Sequence, residues 1–243
     1  MKYDVLLVAH KKDYIKLNYV IKYIKKNLIG YNNIHLIVKN INDVPKFVDV
    51  LIHNEQDVLP VDFNKFKYRP TWIYQQMIKL LQNVTFKNYI VVDSDTIINK
   101  PLNPFDQNNK PVFFFTKNQY HEKYFKYLLK YFNINKCCNY SFISEIMFFN
   151  REIIKKMFFE IKLVDIKDII NFFYDSNTED SYISEFELYG NYMESKFKGV
   201  YTHKHLSIYD EGSESPSYWS EEKIHNNITN NDTVDIISMH SWL

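Results

Sequence analysis

The sequence predicts an α/β fold with a mostly parallel central sheet flanked by helices on both faces. Three observations predict it. Short apolar runs alternate with longer amphipathic stretches, the first run is apolar on successive residues as a strand covered on both sides requires, and the order reads strand, helix, strand, helix, strand.

Residues 4–9 (DVLLVA) form the first strand. Asp13 is placed to cap a helix whose apolar stripe Leu17, Ile21, Ile24, Leu28 recurs at i, i+4, i+7, i+11, with Gly30 to end it. IHLIVK (34–39) reads as the second strand and DVLIHN (49–54) as a further extended piece. Pro70 opens a helix running to about Asn83, and NYIVVD (88–93) is the next strand. Right-handed crossovers between such strands give a largely parallel sheet whose ligands sit beyond the strands' carboxyl ends. His10-Lys11-Lys12 and Asp93-Ser94-Asp95 fall at two of those ends.

After residue 110, PVFFFT (111–116) reads as a strand, 121–133 as a helix and SEIMFFN (144–150) as another strand. Helical stretches at 151–160 and 165–174 follow, then TEDSYISEFELYGNYM (178–193). DEGSESPSYWS (210–220) reads as a loop, and TVDIISMHSWL (233–243) closes with a short strand. No repeat or linker interrupts the chain, so one domain spanning 1–243 is expected.

Thirty basic residues against twenty-nine acidic ones give a formal net charge of +1, which argues against nucleic acid or an anionic membrane as a partner. Pairs such as Lys25-Lys26 read as a solvated helix face. Cys137 and Cys138 are adjacent, unsuited to a structural disulfide and unlike any zinc spacing, so a reducing compartment is expected. The N-terminal apolar run reads as a strand rather than a signal peptide, and no stretch approaches the roughly 20 apolar residues of a membrane span. A soluble cytoplasmic protein follows, in the host cytoplasm if the source is viral.

Chemistry concentrates in four places. In IVVDSDTIINKPL (90–102), Asp93 and Asp95 stand two apart after an apolar strand, so both can face one divalent cation; a plain turn capped by carboxylates is the alternative. In YRPTWIYQQMIKLL (68–81), Trp72, Gln76 and Lys79 share one helical face beside the apolar stripe Ile73, Met77, Leu80, suggesting a ligand wall or an exposed face. Among Glu179, Asp180, Glu185 and Glu187, Glu185 has aromatic and aliphatic neighbours able to raise its pKa toward that of a general base. His240 in MHSWL can supply a neutral nitrogen to a metal, with His203 and His205 of YTHKHLS as rivals.

Together these residues resemble the metal-dependent, DxD-containing glycosyltransferases of the GT-A fold, a Rossmann-like architecture. The nearest likeness is to small transferases that build bacterial surface polysaccharide and the glycans of large DNA viruses. VAHKKD, WIYQQMIKL, IVVDSDTIINKP, SEIMFFN, SEFELYGNY and the terminal His carry the likeness. It implies a nucleotide-sugar-binding half (1–110) and an acceptor-binding half (111–243). The donor would be a nucleoside diphosphate sugar, UDP by analogy, and the acceptor a glycan hydroxyl. Mn²⁺ or Mg²⁺ would sit on Asp93, Asp95 and His240. Ala9, His10, Arg69, Trp72, Gln76, Lys79, Asp93 and Ser94 would contact the donor, and Glu185, with Asp180 behind it, would act as base in an inverting transfer. The Gly and Lys-Pro-Trp that follow the histidine in some relatives are absent. Two other classes share features: haloacid-dehalogenase-like phosphotransferases, in which the first Asp of D-x-D is a nucleophile, and a non-catalytic sugar-binding domain.

Overall fold

In a computed structural model, which describes residues 2–117, 120–213 and 215–241, every residue of β1 (Asp4–Ala9) is buried. A 3₁₀ turn at Lys11–Asp13 leads into α1 (Tyr14–Asn27), where Leu17, Ile21 and Ile24 face the core and Lys25 and Lys26 face solvent. Two expectations are corrected here. The Asp13 side chain makes no capping bond and turns to Lys16 instead, and the helix stops at Asn27 before Gly30, whose φ of 87° lies in the exit turn. β2 (Ile34–Val38) is fully buried, and β3 (Val50–Asn54) is half-exposed as an edge strand. The short α2 (Glu55–Val58) precedes α3 (Pro70–Leu81), which starts with proline at its first turn and ends two residues before the expected Asn83.

β4 (Asn88–Val92) follows, then β5 (Thr96–Ile98), β6 (Val112–Phe115) and α4 (Glu122–Tyr127), which runs into a π-helical turn at Leu128–Phe132. The second half adds β7 (Ile146–Asn150), α5 (Arg151–Glu160), α6 (Ile166–Ser176), α7 (Glu185–Lys196), β8 (Thr202–His205), β9 (Ile208–Ser213), α8 (Glu221–Asn230) and β10 (Ile236–Ser241). The expected loop at 210–220 is therefore corrected: it begins inside β9 and contains a 3₁₀ turn at Pro216–Tyr218. Glu214 of that segment, and Trp242 and Leu243 of the closing stretch, lie outside the described residues.

The central sheet has the order β3-β2-β1-β4-β7. Its first four strands are parallel, and β7 runs antiparallel to β4. The chain winds outward from β1 to β3 and then returns to place β4 on β1's other side. Between β1 and β4 the winding reverses, which opens a crevice at their carboxyl ends. Because β7 is antiparallel, its first residue, Ile146, lies beside Val92 at that same end. A second sheet, β5-β10-β9, pairs β10 antiparallel to β5 and parallel to β9, while β6 and β8 pair separately. Among the described residues no helix is long and apolar enough to cross a membrane.

Candidate functional site

Asp93 leaves β4 into a tight turn in which the Thr96 amide donates to the Asp93 carbonyl at 3.0 Å. The two aspartates therefore sit on a turn, not on the continued strand their spacing suggested, and they diverge. Asp93 reaches Lys79 Nζ of α3 at 2.6 Å. Asp95 reaches His240 Nδ1 of β10 at 3.2 Å. The second contact follows from topology: β5 starts straight after Asp95 and pairs with β10, and the Met239 amide donates to the Asp95 carbonyl at 3.0 Å.

A third carboxylate enters between them. Glu145 directly precedes β7 with a φ of 63°, and its carbonyl accepts the Asp93 amide at 3.0 Å, so the antiparallel strand delivers it to the crevice. Asp95, Glu145 and His240 each present a donor atom, and these three atoms lie within 4.8 Å of one another. Burial, joined by the Asp93 and Asp95 charges, holds Glu145 well above the usual carboxylate range against the pull of His240. For His240, burial disfavours the charged form, but Asp95, Glu145 and Asp210 outweigh it and raise its pKa to about 10. Asp95 is lowered in turn, its burial outweighed by the bond to His240. Carboxylates crowded in this way need positive charge, which His240 supplies here and a divalent cation supplies equally well.

Glu185 opens α7. Its amide donates to Gln76 Oε1 at 3.3 Å and its carboxylate accepts from Lys79 Nζ at 2.6 Å. Burial disfavours the Lys79 ammonium, but Asp93 and Glu185 more than offset that and hold it above its ordinary range. Burial raises Glu185 despite Lys79. Arg69, in the left-handed region with φ 40°, lays its guanidinium 4.9 Å from the Trp72 ring centroid. Tyr124 stacks on Trp72 at 6.3 Å.

These groups line a cleft of about 700 Å³ that brings together Arg69, Trp72, Gln76, Lys79, Asp93, Ser94, Asp95, Glu185 and His240. His10 lines a smaller neighbouring cavity of about 310 Å³ with Lys12, Arg69, Trp72 and Gln75. Ala9 is buried in β1 and lines neither. Asp180 stays outside the cleft at the surface, its carboxylate 3.7 Å from Arg69 Nε. His203 pairs with Glu194 at 2.7 Å and His205 packs edge-on against Phe115; neither lines the cleft.

A family model described as "Family of unknown function (DUF6492)" matches residues 20–234, well over half of the chain. The chain belongs to this family. No curated protein matches it. The DUF6492 match contains Asp93, Asp95, Glu145 and Glu185, while Asp13 and His240 of the cleft lie outside the matched span.

In this DUF6492 chain, sequence reasoning gave no role to Glu145, Lys16 or Asp210, placed Lys12 only at a strand end where ligands sit, and read Asp13 as a cap. Glu145 had one usable signal: it is an acid at the mouth of an apolar strand, the position that made Asp93 conspicuous. Asp210 had none, because it stands in a segment read as loop.

Proposed function

We propose that the protein is a metal-dependent glycosyltransferase of GT-A architecture. It moves a sugar from a nucleoside diphosphate sugar, with UDP the expected nucleotide, to a hydroxyl of a glycan acceptor. One observation carries the reading: Asp95, Glu145 and His240 converge at the switch point between β1 and β4 and share one cleft with a buried carboxylate, Glu185. Lys79 is already held by Asp93 and Glu185, so a diphosphate brought beside Asp95 and Glu145 gains from a cation lying between it and those carboxylates. Two carboxylates and one imidazole suit Mn²⁺, or Mg²⁺ with more of its own water.

Asp95, Glu145 and His240 would hold the ion, which when bound supplies positive charge against the departing diphosphate. The chain's own groups do the rest. Glu185 takes the proton of the acceptor hydroxyl while that oxygen attacks the anomeric carbon, and the carbon–oxygen bond to the diphosphate breaks with its electron pair leaving on the diphosphate. Burial makes Glu185 more basic, and Lys79 holds it ionised and aimed. Lys79's other contact fixes Asp93, so base and turn share one anchor. Trp72, with Arg69 over its ring and Tyr124 stacked beside it, forms one wall of the cleft.

The test is a screen of nucleoside diphosphate sugars for release of the diphosphate with Mn²⁺. Wild-type protein is expected to turn over, and Asp95→Ala to stay folded yet lose at least about a hundredfold in rate, as removal of a group stabilising transition-state charge does. Metal-dependent phosphate release from simple phosphomonoesters would favour the phosphotransferase alternative. Binding without turnover would favour the silent sugar-binding domain.

A further inference from the structure

Lys16 is fully buried in α1, far from the surface where helix lysines normally lie. Its ammonium donates to Asp13 Oδ1 at 2.8 Å, to the Met239 carbonyl at 2.6 Å and to Ser241 Oγ at 2.9 Å. Met239 and Ser241 are the two neighbours of His240. The other Asp13 oxygen lies 3.5 Å from Ser94 Oγ, and Ser94 is the residue between the two aspartates of the turn. Lys12 donates to the Ser241 carbonyl, and Trp219, whose ring lies 5.4 Å from Lys16 Nζ, donates its indole N–H to the His240 carbonyl at 3.2 Å.

We propose that the buried Asp13–Lys16 pair is a positioning device that holds the Asp93–Asp95 turn and the His240 strand in register so that their side chains converge on one cation. The inference rests on the reading that Asp95, Glu145 and His240 bind a divalent ion. A buried ion pair is a poor way to gain stability, because an apolar pair of similar volume serves as well or better. What Asp13 and Lys16 add is direction. Three donors on one ammonium fix the backbone on one side of His240 and the side chain on the other, and the carboxylate that anchors them reaches the turn. Supporting groups of this kind, one shell out from the ligands, typically change metal affinity 10- to 100-fold.

The test is the double variant D13N/K16M, which removes both charges together and leaves neither buried alone. It is expected to fold, shown by an unchanged far-ultraviolet spectrum and a cooperative melt. Its Mn²⁺ affinity by calorimetry is expected to fall about 10- to 100-fold, and the imidazole-nitrogen modulation in the spin-echo spectrum of bound Mn²⁺ to weaken. A folded double variant with wild-type affinity and an unchanged nitrogen signal overturns the inference alone. If the double variant does not fold, Ser241→Ala keeps the ion pair and removes one anchor. It must weaken Mn²⁺ binding about two- to tenfold, the worth of one hydrogen bond, and no change overturns the inference. Wild-type protein that binds no Mn²⁺, or whose binding survives Asp95→Asn, overturns the cation reading and this inference with it.

Discussion

At the scale of single residues, Lys79 has both of its short contacts on carboxylates, Asp93 and Glu185, each at 2.6 Å. Sequence spacing placed it on one helical face with Trp72 and Gln76, and all three line the cleft. The structure adds that its charge is already shared between two acids from different elements. Replacing it by methionine leaves both carboxylates without their cation, so Lys79→Met is expected to lower unfolding free energy by about 3–5 kcal/mol, measured by urea denaturation. A loss below about 1 kcal/mol would mean that water already satisfies those carboxylates. Single residues were legible where a helix period fixed their direction, as for Gln76 and Lys79; Asp93 was placed at its strand's end, but its direction was not, because the chain turns there. Lys16 was not legible: one lysine on a lysine-rich helix carries no mark of the strand, more than 220 residues later, whose Met239 carbonyl it meets. Asp13 was seen only as a cap because a carboxylate before a helix suits that role so well.

Among elements, β7 decides what the site contains. Reversing its direction would carry Glu145 to the far end of the sheet. The loop before it is seated against α7: Glu187 accepts from Ser141 Oγ at 2.7 Å and from the Phe142 amide at 3.2 Å, and Asn191 Oδ1 accepts the Cys137 amide at 2.9 Å. That seating requires a glycine in α7, since a β-carbon at position 190 would fall well inside contact distance of the Phe142 ring. Gly190→Ala is therefore expected to destabilise by about 1–3 kcal/mol, read as a lower denaturation midpoint with an unchanged slope. A neutral or stabilising result, from alanine's better helix propensity, would show that the Phe142 loop is free to give way. The buried strands β1 and β4 were plain in the sequence because their apolar runs are continuous, and β2 because its run is broken only by His35. α8 was not, having only Ile224 and Ile228 as buried apolar residues among weak helix formers such as Asn and Thr. β9 mixes half-buried and exposed positions with polar residues, so it read as loop. The antiparallel sense of β7 depends on the path of the chain from β6 onward, which no local pattern encodes.

For the whole molecule, a formal net charge of +1 conceals where the charges gather, with Lys12, Arg69, Lys79 and His240 sharing one cleft with six acids. Asp13, Asp93, Asp95, Glu145, Glu185 and Asp210 all line one cleft at the switch point of the sheet. Balanced overall charge argued against nucleic acid as a partner, and it also hid where the acids gather. Such a cleft should receive a nucleoside diphosphate only together with a cation. The most direct test is a thermal-shift titration of the intact chain with nucleoside diphosphates, with and without Mn²⁺. At a hundredfold excess over Kd a true ligand contributes about 2.7 kcal/mol, which for a chain of this size raises Tm by roughly 5–10 °C. The predicted result is a rise of that size when the diphosphate is added in the presence of Mn²⁺, beyond any rise that Mn²⁺ alone produces; no rise with any diphosphate, or an equal rise without the metal, would contradict it.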